Sequence, residues 1–305
     1  MPLSQTRLID LCINYLRSEY QHIYGDRYLE YAEAIAPIAT LTLEAVACGD
    51  NAYHNLEHTV QVVLVGQEIL YGKHLCDEPI APQEWLNFIV SLLCHDIGYL
   101  KGICREDRPE EYSFVTGVDS GRVTLLPEST GASLTPYHVD RSKIFVAENF
   151  SNHPYINVDA VQLNIELTRF PVPKTALHQD ISNFPGLTRA ADLIGQLADP
   201  DYLTKLPSLF REFEEIGSNK ALGYSNPKDL RAGYPKFYWK GVSLYLKQGI
   251  RYLEMSQSGK AILANLYNSR SLVEKELDRF YSSRDRFFGQ QLSWLHNLLP
   301  IRISW

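Results

Sequence analysis

The chain has 305 residues, 45% hydrophobic and 21% charged, with a formal net charge of -7 at pH 7. That is enough apolar material for a sizeable globular core. The acidic balance, with no dense Lys/Arg run, excludes a nucleic-acid groove or an anionic membrane surface as the main partner. No stretch approaches ~20 uninterrupted apolar residues, and the N-terminus MPLSQTRLID is not a basic-then-apolar signal, so the chain reads as cytoplasmic. Cys12, Cys48, Cys76, Cys94 and Cys104 are widely spaced and form no CxxC pair. They predict buried reduced thiols, with neither a disulfide framework nor a thiolate zinc site.

Helical periodicity runs along the whole chain. Residues 5–23 carry Leu8, Leu11, Ile13 and Leu16 among polar positions, and residues 28–47 carry Tyr28, Ala32, Ile35, Ile38 and Val46. A third helix is expected from the capping residues Asp50 and Asn51 to about Gly72. It holds His54 and His58, which at four-residue spacing lie about 40° apart on one face. Leu56, Val60, Val63 and Leu70 occupy its opposite side, so both faces are apolar and the helix is expected to be central. A helix over 83–97 follows, and the segment Glu111–Pro127, with two glycines, predicts a small hairpin or an ordered loop. Further helices are predicted over 137–150, 156–169, 186–198, 202–216 and 236–255, with amphipathic segments after 260. There Phe280, Tyr281, Phe287, Phe288 and Trp294 would pack on the core or form a homodimer face. The expected fold is all-α: one helical domain over 1–305, with N-terminal helices (1–50), a metal-site core (51–200) and C-terminal helices (201–305).

The chemistry begins at His95-Asp96, which closes the apolar run Leu86, Phe88, Ile89, Val90, Leu92, Leu93, Cys94. Desolvating an unpaired carboxylate costs at least several kcal/mol. A divalent cation removes that cost, because Asp oxygen and His nitrogen are both good ligands. Asp192 similarly interrupts a stripe of Leu187, Ala190, Ala191, Ile194 and Leu197. His58, His95, Asp96 and Asp192 together form a plausible set for a borderline or hard divalent ion, with Mg, Mn, Fe, Ni and Zn not distinguished. The spacing of His54 and His58 also occurs in zinc proteases, but their Glu after the first His is here Asn55, and Glu57 sits elsewhere on the helix. The protease reading fails.

In this order, Tyr53-His54-Asn55-Leu56-Glu57-His58, His95-Asp96-Ile97-Gly98 and Ala191-Asp192 resemble the HD-domain metal-dependent phosphohydrolases. The closest likeness is to the catalytic domain of cyclic-nucleotide phosphodiesterases, over roughly residues 51–200. The resemblance implies an HD-domain helical bundle with additional N- and C-terminal helices. It implies that His58, His95, Asp96 and Asp192 hold a first metal and that His54 donates a proton to the leaving oxygen. Asp96 would bridge to a second ion, with the attacking hydroxide between the two. The implied substrate is a small-molecule phosphomonoester or phosphodiester, of a nucleotide. Asn55 would orient His54 or touch the phosphate, and Lys101, Arg141 and Arg169 are possible phosphate contacts. Gln248, near Phe237 and Trp239, is a positional match to the purine-gripping glutamine. One departure stands out. The phosphodiesterases carry His-Asp-x-x-His, whereas this chain has Tyr99 at the last position, a donor to metal-bound water rather than a ligand. His138 and His153 are the replacements available for a second metal. Two other readings follow: a non-catalytic HD-fold module binding a nucleotide or partner, favoured by Tyr99, and an HD-fold di-iron oxygenase, which needs His138 and His153.

Overall fold

Apolar residues recurring every three to four positions produce helices along most of the computed structural model. It describes the backbone of residues 3–297 and the side chains of residues 3–279. The side chains of Phe280, Tyr281, Phe287, Phe288 and Trp294 lie outside the described residues. In chain order the elements are α1 (Leu3–Tyr24), α2 (Leu29–Ala47), α3 (Leu56–Cys76), α4 (Pro82–Cys94), β1 (Ser113–Val115), β2 (Arg122–Thr124) and α5 (His138–Phe150). Then come α6 (Val158–Glu166), α7 (Ala176–Gln179), α8 (Phe184–Leu197), α9 (Tyr202–Glu215), α10 (Ser218–Leu222), α11 (Pro227–Lys236), α12 (Ser243–Leu253) and α13 (Gln257–Asn297). The chain is helical, with a two-stranded antiparallel hairpin pairing Phe114 with Val123.

α3 is central, as its two apolar faces predict: His58, Val60, Val62, Val63, Val65, Gly66, Ile69 and Leu70 are all buried. Small residues let its neighbours approach closely. A Cβ on Gly66 would lie 2.1 Å from Leu92 of α4 and 3.3 Å from Ala191 of α8, and one on Gly195 would lie 2.8 Å from the Val62 backbone. A continuous apolar core runs from Ile9 in α1 to Val273 in α13. Among the described residues, no helix is long and apolar enough to cross a membrane.

Element boundaries differ from the sequence reading at both edges of the site. α3 starts at Leu56, because Asn55 is its cap: the Asn55 Oδ1 accepts from the backbone N–H groups of Glu57 and His58 at 3.0 and 3.3 Å. Asp50 is engaged elsewhere, accepting from Gly131 N–H at 2.7 Å and pairing with Lys101. His54 therefore precedes the helix and does not share its face with His58. α4 stops at Cys94, and His95-Asp96 sit in the turn that follows. The helix expected over 236–255 is broken by a wide π-type turn at Phe237–Val242, just after Pro235, which has no N–H to donate. The thiols of Cys12, Cys94 and Cys104 are free and buried, as expected, while Cys48 is exposed.

Candidate metal centre

Three separate segments deliver four donors to one place. His58 comes from the first turn of α3, His95 and Asp96 from the turn after α4, and Asp192 from the middle of α8. The His58 Nε2 lies 3.3 Å from Asp96 Oδ2 and 3.6 Å from Asp192 Oδ1. For His95 Nε2 the corresponding separations are 3.2 and 3.7 Å. Ligands held ~2.0–2.2 Å from one ion in a tetrahedral arrangement stand roughly 3.3–3.6 Å apart, so the donor set fits a metal. The hydrogen bonding agrees. His58 Nε2, His95 Nε2 and Asp96 Oδ2 are buried and have no hydrogen-bond partner. Orphaned buried polar atoms are costly in a folded protein. A cation would satisfy all three at once.

The surrounding shell is arranged for this. His95 Nδ1–H donates to the Leu92 carbonyl at 2.7 Å, which fixes the tautomer and turns Nε2 toward the carboxylates. The Ser142 hydroxyl of α5 donates to the His95 carbonyl at 2.8 Å and accepts from Gly98 N–H at 2.9 Å, pinning the turn. Gly98 is required there, since a Cβ would fall 1.9 Å from the His138 carbonyl oxygen. The electrostatics follow from the packing. Burial disfavours the His58 imidazolium, but Asp192 and Asp96 outweigh it and lift its pKa to about 10. His95 is raised against burial by Asp96 and Asp192. Burial would also raise the Asp96 carboxyl, yet His95 and His58 hold it well below the usual range.

His54 stands beside this cluster, its ring 5.4 Å from that of His58. It is anchored by Glu212 of α9. The Glu212 Oε2 lies 2.5 Å from His54 Nδ1, and Oε1 accepts from the backbone N–H groups of Tyr53 and His54 at 2.6 and 3.2 Å. Burial opposes the His54 imidazolium, but Glu212 wins and its pKa is raised. Tyr99 lies flat between two imidazoles, 4.7 Å from His54 and 4.3 Å from His138. The side chains of His54 and Asp192 are 17% and 19% exposed, so solvent reaches the site along that side.

A family profile, that of the Npun_R2479-like proteins, matches residues 3–276. The chain belongs to the Npun_R2479-like family. No curated protein sequence matches it. In this Npun_R2479-like chain the matched region contains every residue of the cluster, including Glu212.

Other residues singled out from sequence fall elsewhere. Lys101 pairs with Asp50 at 2.7 Å and donates to the Ser129 carbonyl at 2.8 Å, so it ties two loops together rather than waiting for phosphate. Arg141 is fully buried. All five of its N–H groups are engaged, by the carbonyls of Gly98, Val115 and Leu100 and both oxygens of Asp107. Arg169 is taken by Glu166 and Asp140. The Asn55 side-chain oxygen is spent on the α3 cap. His153 lies beyond the far end of α5, its ring against Phe150 and Tyr155, which is about 20 Å along the helix from His138. Gln248 is on α12 with a buried, unpartnered Oε1. Glu212 escaped the sequence reading, though a signal exists: it continues the buried stripe Tyr202, Leu206, Leu209 of α9, where a carboxylate needs a partner.

Proposed function

We propose that this chain is an HD-domain-type, metal-dependent phosphohydrolase that cleaves a small-molecule phosphomonoester or phosphodiester, with a nucleotide as the substrate class its motifs favour. The observation carrying this reading is the convergence of His58, His95, Asp96 and Asp192, three of whose donor atoms are buried and unpartnered. A divalent ion held there would act as a Lewis acid on phosphoryl oxygens and lower the pKa of bound water. The chain itself supplies the rest. Glu212 occupies His54 Nδ1, so Nε2 is the nitrogen left to protonate a leaving oxygen. The same carboxylate favours the imidazolium, which keeps that proton available near neutral pH. Tyr99, stacked on the ring, fixes its plane. The oxygenase reading loses one of its two candidate extra ligands, because His153 lies beyond the far end of α5, against Phe150 and Tyr155.

The test is to measure bound metal, then turnover of nitrophenyl mono- and diesters and of cyclic and linear nucleotides with Mg, Mn, Fe, Ni and Zn. Hydrolysis that disappears in Asp192→Asn supports the reading. Metal-loaded protein with no turnover on any ester overturns it.

A further inference from the structure

Residues 227–251 hold six Lys and Arg against a single Asp, a local charge of +5 in a chain of net charge -7. The fold turns part of that excess outward in one row. α12 and the wide turn before it bury Tyr238, Val242, Leu246 and Gly249. A Cβ on Gly249 would lie 3.0–3.2 Å from Ile194 and Ala190 of α8 and Ile69 of α3. Positions two residues from a buried one point the other way, since two residues turn a helix by ~200°. There Lys236, Lys240, Leu244 and Lys247 are exposed, with Trp239 beside them. Among the described residues no carboxylate pairs with Lys236, Lys240 or Lys247, whereas Arg231 and Arg251 are taken by Glu276 and Asp77. Trp239 is 56% exposed and Leu244 47%, although the Trp239 indole N–H is fastened to Glu274 at 2.9 Å. The loop before α8 widens the apolar part of this face. Its exposed Phe170 meets the Phe237 ring edge-on at 5.8 Å, and Gln179, two residues after exposed Leu177, accepts from the Tyr245 hydroxyl at 3.4 Å.

We propose that this face is a peripheral attachment surface for an anionic lipid bilayer. Three unpaired ammonium groups on flexible stems suit a diffuse anionic surface. A discrete phosphate site would call for the planar guanidinium fork, and the two arginines of this stretch are already occupied. Exposed Trp and Leu between the lysines match a helix lying in the interfacial plane, where apolar side chains enter the headgroup boundary and lysine stems snorkel to the phosphates. The net charge of -7 describes the chain average, while folding concentrates the opposite sign here. That average disfavours adsorption elsewhere on the molecule, so the lysine row also sets the orientation. α12 lies between this face and α8, and the face shares no residue with the metal centre, so its test stands apart from hydrolysis.

The experiment mixes the full-length protein with vesicles of phosphatidylcholine, alone or with about 30% phosphatidylserine, at about 0.05 and 0.5 M NaCl, and reads the bound fraction by flotation. Binding should require phosphatidylserine and fall roughly tenfold or more at the higher salt, as screening shortens the reach of each charge. Each lysine near an anionic surface contributes about fivefold, so K236Q/K240Q/K247Q should bind roughly 100-fold more weakly. An unchanged thermal unfolding curve shows that this variant is folded. No binding to phosphatidylserine vesicles at low salt overturns the proposal, as does equal binding to the two vesicle types or binding indifferent to salt. A folded K236Q/K240Q/K247Q protein with parental affinity overturns it too. Retention of the parent on an acidic polypeptide without vesicle binding would hand the face to an acidic protein and overturn the lipid assignment.

Discussion

His54 and Asp96 are near neighbours in the site, but the proposed mechanism gives them different tasks, and substitution should separate them. Asp96 faces both metal-directed histidines, so Asp96→Ala is expected to lose metal and activity together. His54 is tied to Glu212 and is the proposed proton donor, so His54→Ala should keep its metal content and lose ~10²–10⁴-fold in kcat. Metal analysis and turnover on the same preparations check both, and a His54→Ala protein as active as the parent would sink the proton-donor role. What sequence reveals at this scale follows a simple rule. His95, Asp96 and Asp192 are legible because each interrupts an apolar stripe, and a polar group in a buried stripe demands a partner. Lys101, Arg141 and Arg169, open from sequence to either a phosphate contact or a salt bridge, are each paired with a carboxylate distant in sequence, Asp50, Asp107 and Asp140, and periodicity carries no information on which partner such a cation takes.

Among the elements, α5 organises the site although it supplies none of the four primary donors. Arg141 anchors both the turn after α4 and the hairpin, through Gly98, Leu100, Val115 and Asp107. Removing one partner of a buried pair leaves the other charge uncompensated, so Arg141→Met should cost roughly 3–5 kcal/mol. Urea unfolding measures it, and a loss below ~1 kcal/mol would contradict the anchoring role. α5 and α6 are also linked electrostatically. Burial works against the Glu166 carboxylate, but Arg169 and Lys143 prevail and bring its pKa down to about 2, from 4.5 ordinarily. A depressed folded pKa contributes stability that is full above about 4.5 and lost as pH falls toward 2. Discounted for partial exposure, Glu166→Gln should cost ~1–2 kcal/mol at pH 7, with the gap to the parent shrinking by pH 3. A gap that stays constant between these pH values would mean the pair contributes nothing through charge. Helix existence was legible here, but helix ends were not. Asp50-Asn51 and Asn55 are all plausible caps, and the choice fell to Asn55 because Asp50 is needed by Gly131 and Lys101, contacts made across the fold.

At the scale of the molecule, an ion at this centre would cross-link α3, the turn after α4, and α8, segments that together form the middle of the core. A ligand bound only by the folded state stabilises it by about 2.7 kcal/mol at a hundredfold excess over Kd. For a chain of this size that corresponds to a rise in Tm of roughly 4 °C between chelator-treated and metal-saturated protein. The gain should depend on pH, because metal-free protein has its own means of neutralising the two carboxylates. The His58 pKa, raised from 6.5 to about 10, contributes stability that is fully present below about 6.5 and is lost as pH rises through about 10. A metal must displace that proton, so its affinity and the Tm gain should both increase from pH 6 to pH 8. Differential scanning fluorimetry across that range checks the trend. His54→Ala should reproduce it, since His54 is outside the four-donor set, while Asp192→Asn should flatten it. A Tm gain that falls with rising pH, or that survives in Asp192→Asn, would mean the stabilising ion sits somewhere other than between α3 and α8.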